Sequence, residues 1–491
     1  MELNLTVNTE ALIERPLIGL APWLDAPVSK GRWDKLRVFL EYLNFPAYHF
    51  HMTHALYRRE IDAYGSIAGS LNDGLAKHFV QTYNTNDDGE FVGLIRAMQF
   101  AHEQKASLHM ITARPVNPYP TTNAFATPFN DYMRPFSIRA YISYMAEFIR
   151  YVQQNLHLPI QIVNLIDEPR WFFLHAGNPP DPSNTSNPVA GTYYGLISPA
   201  ELKALYPSTW DFAYTFLNDQ LNARGVRSGV NIQMLSDVYP YGNLANDVAH
   251  LLTSPAVTSA ANGICFVNYG GPDEANTIIG KARADMAQPG AANPRIFFKD
   301  MGGTRVENAT AEDEFAYGLD SIAGAMRAFR QGVDFCAQYF FVRADVPQPH
   351  ARMFAASWNG TDYVARRPLA PLALFSKTQA RGAYRMKDQA GAGVPDVDYL
   401  TLLSNRGTAN DYYTYYLVNR SKEAHTVNLR PARNRPLYLY WLAYGLDHGY
   451  TIQSQPLASA ATVRAQLPPR SMTAITEQPV ANLNWPIREG Q

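Results

Sequence analysis

A chain of 491 residues is too long for one small domain and suits a large domain joined to a modest one. Its 42 Lys and Arg balance 43 Asp and Glu, so no net field draws it to nucleic acid or an anionic membrane, and a neutral polar partner is expected instead. No run approaches the roughly 20 apolar residues of a membrane span, and MELNLTVNTEALIERP lacks the basic start and long apolar stretch of a secretory signal, which leaves the compartment unknown.

In chain order, short apolar runs occur at RPLIGLAPWL (15–24), PAYHFHMT (46–53), ASLHMITAR (106–114), PIQIVNLID (159–167), SGVNIQMLSD (228–237), NGICFVNYG (262–270), PRIFFKDMG (294–302) and VDFCAQYFFV (333–342), each predicted as a strand. Amphipathic stretches at 91–104, 138–155, 207–225 and 315–332 are predicted helices. Leu94, Met98 and Ala101 recur at helical spacing, and Gly225 and Gly332 sit at expected helix stops. Strands alternating with helices imply an α/β fold with a parallel sheet, and eight such units close into a (β/α)8 TIM barrel. An open doubly wound sheet is the competing topology, but no Gly-rich phosphate loop follows any strand. The connections 113–135 and 177–195, rich in Pro and Asn, follow the third and fourth strands and have the length of a functional rim.

After about residue 395 the rhythm changes to YLTLLSN, YYTYYLVN, HTVNLRP, PLYLYWLAY, ATVRAQLP and SMTAITEQ. Alternating strands at hairpin spacing predict a C-terminal antiparallel β-sandwich with no helix to cover it, and ELNLTVN at the start alternates in the same way. The expected organisation is an N-terminal strand (1–13) pairing with the sandwich, a barrel (14–385) and the sandwich proper (386–491). Cys265 and Cys336 lie inside apolar runs and read as buried free thiols. The 12% aromatic content suits sugar faces or simply a core.

PIQIVNLIDEPR ends an apolar strand in Asp167 and Glu168, and the seventh strand ends in Lys299 and Asp300. Active sites of such barrels lie at the C-terminal strand ends. Hydrolysis of a glycosidic bond needs a protonated carboxyl near the leaving oxygen and a second carboxylate, about 5–5.5 Å from it for retention. The pair Asp167–Glu168 also suits a helix N-cap and a first-turn acid. Arg114, Trp171, Asn231, Tyr239, Arg343 and Trp358 are expected to follow strand ends, where hydroxyl binding or stacking on sugars competes with ordinary packing. His49, His51 and His54 have metal-like spacing, but His49 and His51 on one strand face read better as lining the pocket mouth; no metal or cofactor is expected.

YISYMAEFIRYVQQNLHLPIQIVNLIDEP, FLNDQLNARGVRSGVNIQMLSD, NGICFVNYGG, LALFSKTQARGAYRMK, VNRSKEAHTVNLR, LPPRSMTAI and ARPVNPYP together resemble a clan A glycoside hydrolase, most like family 30 and its relatives, over nearly the whole chain. The resemblance implies an enzyme acting on a β-linked oligo- or polysaccharide, with Glu168 as acid/base and Asp300 as nucleophile. It also implies that Asp167 contacts the sugar 2-hydroxyl and that Tyr269 is the sixth-strand Tyr. Four positions depart from the family pattern: Asp for Glu at 300, Asp for Asn at 167, Val267 for a His, and Phe340 or Phe341 for a Trp. A shorter Asp300 needs a closer backbone for retention, or a bridging water, which favours inversion. Asp167 beside Glu168 also resembles the dyad of hexosaminidases that use the substrate's acetamido group. A glycosidase-like carbohydrate-binding protein with weakened catalysis is the remaining alternative, and oligomeric state is not legible.

Overall fold

The computed structural model describes residues 2–24, 30–52, 90–112, 142, 145–165, 209–238, 244–304, 309–343, 355–390, 394–447 and 451–483. After the N-terminal strand β1 (Glu2–Pro16) come β2 (Gly19–Leu24), β3 (Ala47–Met52), β4 (Ser107–Thr112), β5 (Ile162–Asn164), β6 (Asn231–Val238), β7 (Gly263–Asn268), β8 (Arg295–Met301) and β9 (Phe335–Arg343). Strands β2 to β9 pair in sequence order, all parallel, and β9 pairs with both β8 and β2, so the sheet closes on itself. All eight barrel strands predicted from the apolar runs are present. Their unbroken apolar character follows from burial on both faces. Ala21, Trp23, Ala47, Ile162, Cys265, Phe297, Phe335 and Ala337 fill the interior, while Leu20, Phe50, Val163, Ile232, Ile264, Phe266 and Phe298 pack outward with the helices.

Among the described residues the longer helices are α1 (Lys30–Leu43), α2 (Glu90–Glu103), α3 (Thr209–Ala223), α4 (Leu244–Thr253), α5 (Pro255–Ala260), α6 (Gly271–Met286), α7 (Ala311–Arg330) and α8 (Leu369–Thr378). Helix α7 starts four residues earlier than its apolar pattern predicts because Thr310 and Asp313 form a reciprocal capping box. Within the predicted helix 138–155, residues 145–150 are helical and run into a π turn at Tyr151–Asn155.

Short strands β10 (Ala356–Trp358) and β11 (Tyr363–Ala365) extend the barrel sheet beyond β9. The C-terminal strands are β12 (Tyr384–Ala390), β13 (Val397–Ser404), β14 (Tyr412–Asn419), β15 (His425–Arg430), β16 (Leu437–Ala443), β17 (Gln453–Leu457), β18 (Val463–Leu467) and β19 (Ser471–Thr476). With β1 they form one sheet in the order β17-β16-β19-β14-β13-β12-β1-β15-β18. The first strand lies antiparallel to β12 and parallel to β15, so the two ends of the chain share a sheet. Leu3, Leu5, Val427, Leu429 and Val463 from one arm share a core with Tyr413, Tyr415, Leu417 and Ile475 from the other.

The expectation that no helix covers this sheet is corrected. Leu400, Leu402, Tyr416, Val418, Leu442 and Met472 belong to the same apolar core as α7 and α8, and both helices contact these strands. Strands β13, β14 and β19 are therefore buried on both faces, whereas β15 and β18 alternate between buried and less buried positions.

An ion cluster ties the sheet to the N-terminal end of the barrel. Asp334, just before β9, accepts from Arg385 Nη2 at 2.7 Å and from Arg295 Nε at 2.6 Å, with Arg15 Nη1 3.7 Å away. Arg385 also donates to the carbonyls of Val333 and Arg15. The carbonyl of Asp334 receives the Ile18 and Gly19 N–H groups, where β1 hands the chain to β2. A second network joins Arg327 of α7 to Asp398 of β13, which Arg420 Nε reaches at 2.9 Å.

Candidate active site

The C-terminal end of β8 carries a local irregularity that positions the principal carboxylate. Against β7, Phe298 pairs with Phe266, and the next pair is Asp300 with Val267, so Lys299 is an extra residue. Against β9, Phe298 pairs with Cys336 and Met301 with Gln338, which shows the same insertion from the other side. This is a β-bulge, a device that re-aims a side chain. On a regular strand, neighbouring side chains point to opposite faces. Here Lys299 Nζ lies 3.3 Å from Asp300 Oδ2, with both residues 1% exposed.

Asp300 Oδ2 also accepts a hydrogen bond from Tyr269 OH at 3.2 Å. Asp300 Oδ1 is buried and has no hydrogen-bond partner among the described residues. Oδ2 is thus held by Tyr269 and Lys299, whereas Oδ1 makes no hydrogen bond to the described residues. Tyr269 is fixed by the start of α6, where Glu274 Oε2 accepts from the backbone N–H of Tyr269 at 2.9 Å and of Gly270 at 2.5 Å. Gly271 follows at φ +73°, a conformation that favours glycine.

The bulge rests on a polar seam below the mouth. Cys265 is in hydrogen-bonding reach of the Lys299 backbone N–H and the Asn164 side chain; burial pushes its thiol pKa up, and the nearby Asp300 charge adds to this. Asn164 Nδ2 donates to the Leu235 carbonyl at 2.8 Å, and the Leu235 N–H donates to Tyr214 OH at 2.9 Å. Leu235 has φ +57° beside a second bulge, in β6, between Met234 and Asp237. Neither bulge has a signal in the sequence. Asn164 had a visible signal, since it is the amide inside the apolar run QIVNLI.

Of the residues singled out from sequence, Asp300 and Tyr269 meet at this site. Glu168, Asp167, Trp171, Arg114 and Tyr239 lie outside the described residues, as do His54 and the rim connections 113–135 and 177–195. Strand β5, which leads toward Glu168, runs parallel to β8 and so points to the same mouth. Arg343 closes β9, where its backbone pairs with Ser357. Val267 is fully buried as the ladder partner of Asp300.

Two positions are corrected. Asn231 opens β6, with Ile162 as its ladder partner, and therefore lies at the barrel end opposite Asp300. Its Oδ1 accepts from Gln233 Nε2 at 3.3 Å. His49 does not line the mouth: it is fully buried, stacked on Trp23 at 6.0 Å and edge-on to Phe335, the first residue of β9. Trp358 is partly buried, with Tyr363 edge-on at 5.0 Å and Arg32 Cζ 4.8 Å from its ring centroid. Its ring thereby joins the β10–β11 hairpin to α1.

No protein-family model and no curated protein matches the chain. Solved structures do match it along almost its full length. A GH30 endoxylanase from Clostridium papyrosolvens superposes with a TM-score of 0.59 at 11% identity, covering 97% of this chain and 100% of the other. The catalytic domain of GH30 xylanase C from Talaromyces cellulolyticus gives 0.61 at 13% identity, covering 97% and 100%. The fold is that of the family 30 glycoside hydrolases. An endo-β1,6-glucanase shares it too, with a TM-score of 0.57 at 12% identity over 96% of this chain and 93% of the other. Among the described residues, no helix is long and apolar enough to cross a membrane.

Proposed function

We propose that the protein is a glycoside hydrolase that cleaves β-linked polysaccharide with retention of configuration, using Asp300 as nucleophile and Glu168 as acid/base. The observation that carries this reading is Asp300 itself. It is a buried carboxylate at a C-terminal strand end, aimed by a bulge, with Oδ2 held by Tyr269 and Lys299 and Oδ1 without a hydrogen bond to the described residues. The bulge supports this reading for a side chain one methylene shorter than Glu, because an extra backbone residue at 299 changes where the carboxylate emerges. Xylan and a β1,6-glucan, the substrates named for proteins of this fold, mark the polymer class to try first. In this reading residues 14–385 form the catalytic barrel, and 1–13 with 386–491 form a β-sandwich packed on α7 and α8.

In the first half-reaction Asp300 Oδ1 bonds to the anomeric carbon while the bond to the leaving oxygen breaks, and Glu168 gives that oxygen its proton. In the second, water attacks the same carbon, the ester bond to Oδ1 breaks, and Glu168 takes the proton back. The test is turnover on xylan, β1,6-glucan and a panel of aryl glycosides, with the anomer released followed by NMR. Loss of turnover in Asp300→Ala, with retention in the wild type, supports the assignment, and an inverted product overturns the nucleophile role. The buried ion pair between Lys299 and Asp300 favours a second reading, a carbohydrate-binding protein whose carboxylate is neutralised; saccharide binding without turnover across the panel selects it. Activity on N-acetyl substrates that survives Asp300→Ala but is lost in Asp167→Ala would select the acetamido route.

A further inference from the structure

We propose that Lys299 is a positioning residue that keeps the covalent intermediate on Asp300 from accumulating, an inference that rests on the nucleophile reading above. The geometry is unusual for its source. Lys299 and Asp300 are consecutive residues of one strand, and the insertion at 299 is what lets both side chains share a buried space 3.3 Å apart. Tyr269, just after β7, donates a neutral hydrogen bond to the same carboxylate, and Cys265 on β7 lies within its electrostatic reach. Lys299 supplies positive charge.

That charge acts differently on the two half-reactions. In the free enzyme the ammonium stabilises the Asp300 carboxylate. When Oδ1 bonds to the anomeric carbon the carboxylate becomes a neutral ester, and the buried positive charge of Lys299 is no longer balanced by it. Water attack restores the carboxylate and the pair. A fixed cation at this place therefore lowers the nucleophilicity of Asp300 but improves it as a leaving group, so formation of the ester is slowed and its breakdown accelerated. Glycosyl transfer to the enzyme then limits turnover.

The experiment is stopped-flow release of dinitrophenol from a dinitrophenyl glycoside that the wild type hydrolyses, with the enzyme mass read after rapid acid quench. The wild type should show no burst and no adduct. Lys299→Gln should show a burst matching the enzyme concentration and an adduct on the peptide that contains Asp300. Its kcat should fall about 10- to 100-fold, the loss of one charge-assisted contact. KM should fall with kcat, leaving kcat/KM for this activated substrate unchanged or raised. Lys299→Arg should restore burst-free turnover. A merely structural role for Lys299 would instead lower kcat/KM without adduct, which overturns the proposal. A burst in the wild type overturns it without any variant, so a poorly folding Lys299→Gln does not protect it. If the wild type turns over no glycoside in the panel, the nucleophile reading itself falls and takes this inference with it; if it turns over glycosides and Lys299→Gln forms no adduct, only the Lys299 role is lost.

Discussion

Substituting Asp334 by Asn should be among the most damaging single changes outside the site, although it removes only a charge. Asp334 is fully buried and receives Arg385 at 2.7 Å and Arg295 at 2.6 Å. Arg385 is itself fully buried and is drawn from β12, the strand that pairs with β1. Removing one partner of a buried ion pair leaves the other charge uncompensated and costs about 3–5 kcal/mol. Against a total of about 5–15 kcal/mol for a typical domain, that is a large fraction. The two partners should not be equivalent. Arg385→Met leaves Asp334 with Arg295 still bonded and Arg15 nearby, so it should cost less than Asp334→Asn. Arg15 is half-exposed and 3.7 Å away, so Arg15→Ala should cost about 0–1 kcal/mol, the range of exposed pairs. Urea melts followed by tryptophan fluorescence give the series, and a second transition in Asp334→Asn would report separate unfolding of the sheet. The reasoning fails if Asp334→Asn lies within about 1 kcal/mol of the wild type or if Arg15→Ala is the worst of the three.

Glu168→Gln should slow glycosides with poor leaving groups by about 10²–10⁴-fold while sparing activated ones, and equal losses on both in steady-state assays would remove Glu168 as the acid. Gly303 follows β8, and a Cβ there would sit 2.5 Å from the Tyr317 carbonyl oxygen, so Gly303→Ala should cost about 1–3 kcal/mol in thermal melts and reduce turnover by displacing the segment after Asp300. Asp320 on α7 has its carboxyl pKa raised, chiefly by burial and against the pull of Arg420. The folded state therefore binds this proton more tightly than the unfolded state, and the stability contributed is full below the ordinary Asp range near 3.8 and declines as pH rises through the folded value. Asp320→Asn should thus be more stable than the wild type at pH 7, with the gap closing toward pH 4; a gap that widens on acidification contradicts the sign.

By itself the sequence determined the eight barrel strands, three of the helices with part of a fourth, and the switch to hairpin spacing after about residue 395, because each is a local pattern of apolar spacing, turn residues and caps. PRIFFKDMG already put Lys299 and Asp300 at a strand end, and NGICFVNYG put Tyr269 at the neighbouring one. What a strand end means depends on its direction and start. SGVNIQMLSD reads as one run, yet the strand opens at Asn231, which moves that residue to the far end of the barrel. The bulge at Lys299 is a mismatch in counting between β8 and the strands on both sides of it, and no single segment contains that information. Likewise the double-sided burial of β13, β14 and β19 is visible as unbroken apolar runs, but that α7 and α8 do the covering is decided by packing between elements some 70 to 110 residues apart. Asp334 and Arg385, 51 residues apart, carry no pairing signal in the chain. Local periodicity set the elements; register and long-range packing, which fix where a buried charge can find its partner, set the site.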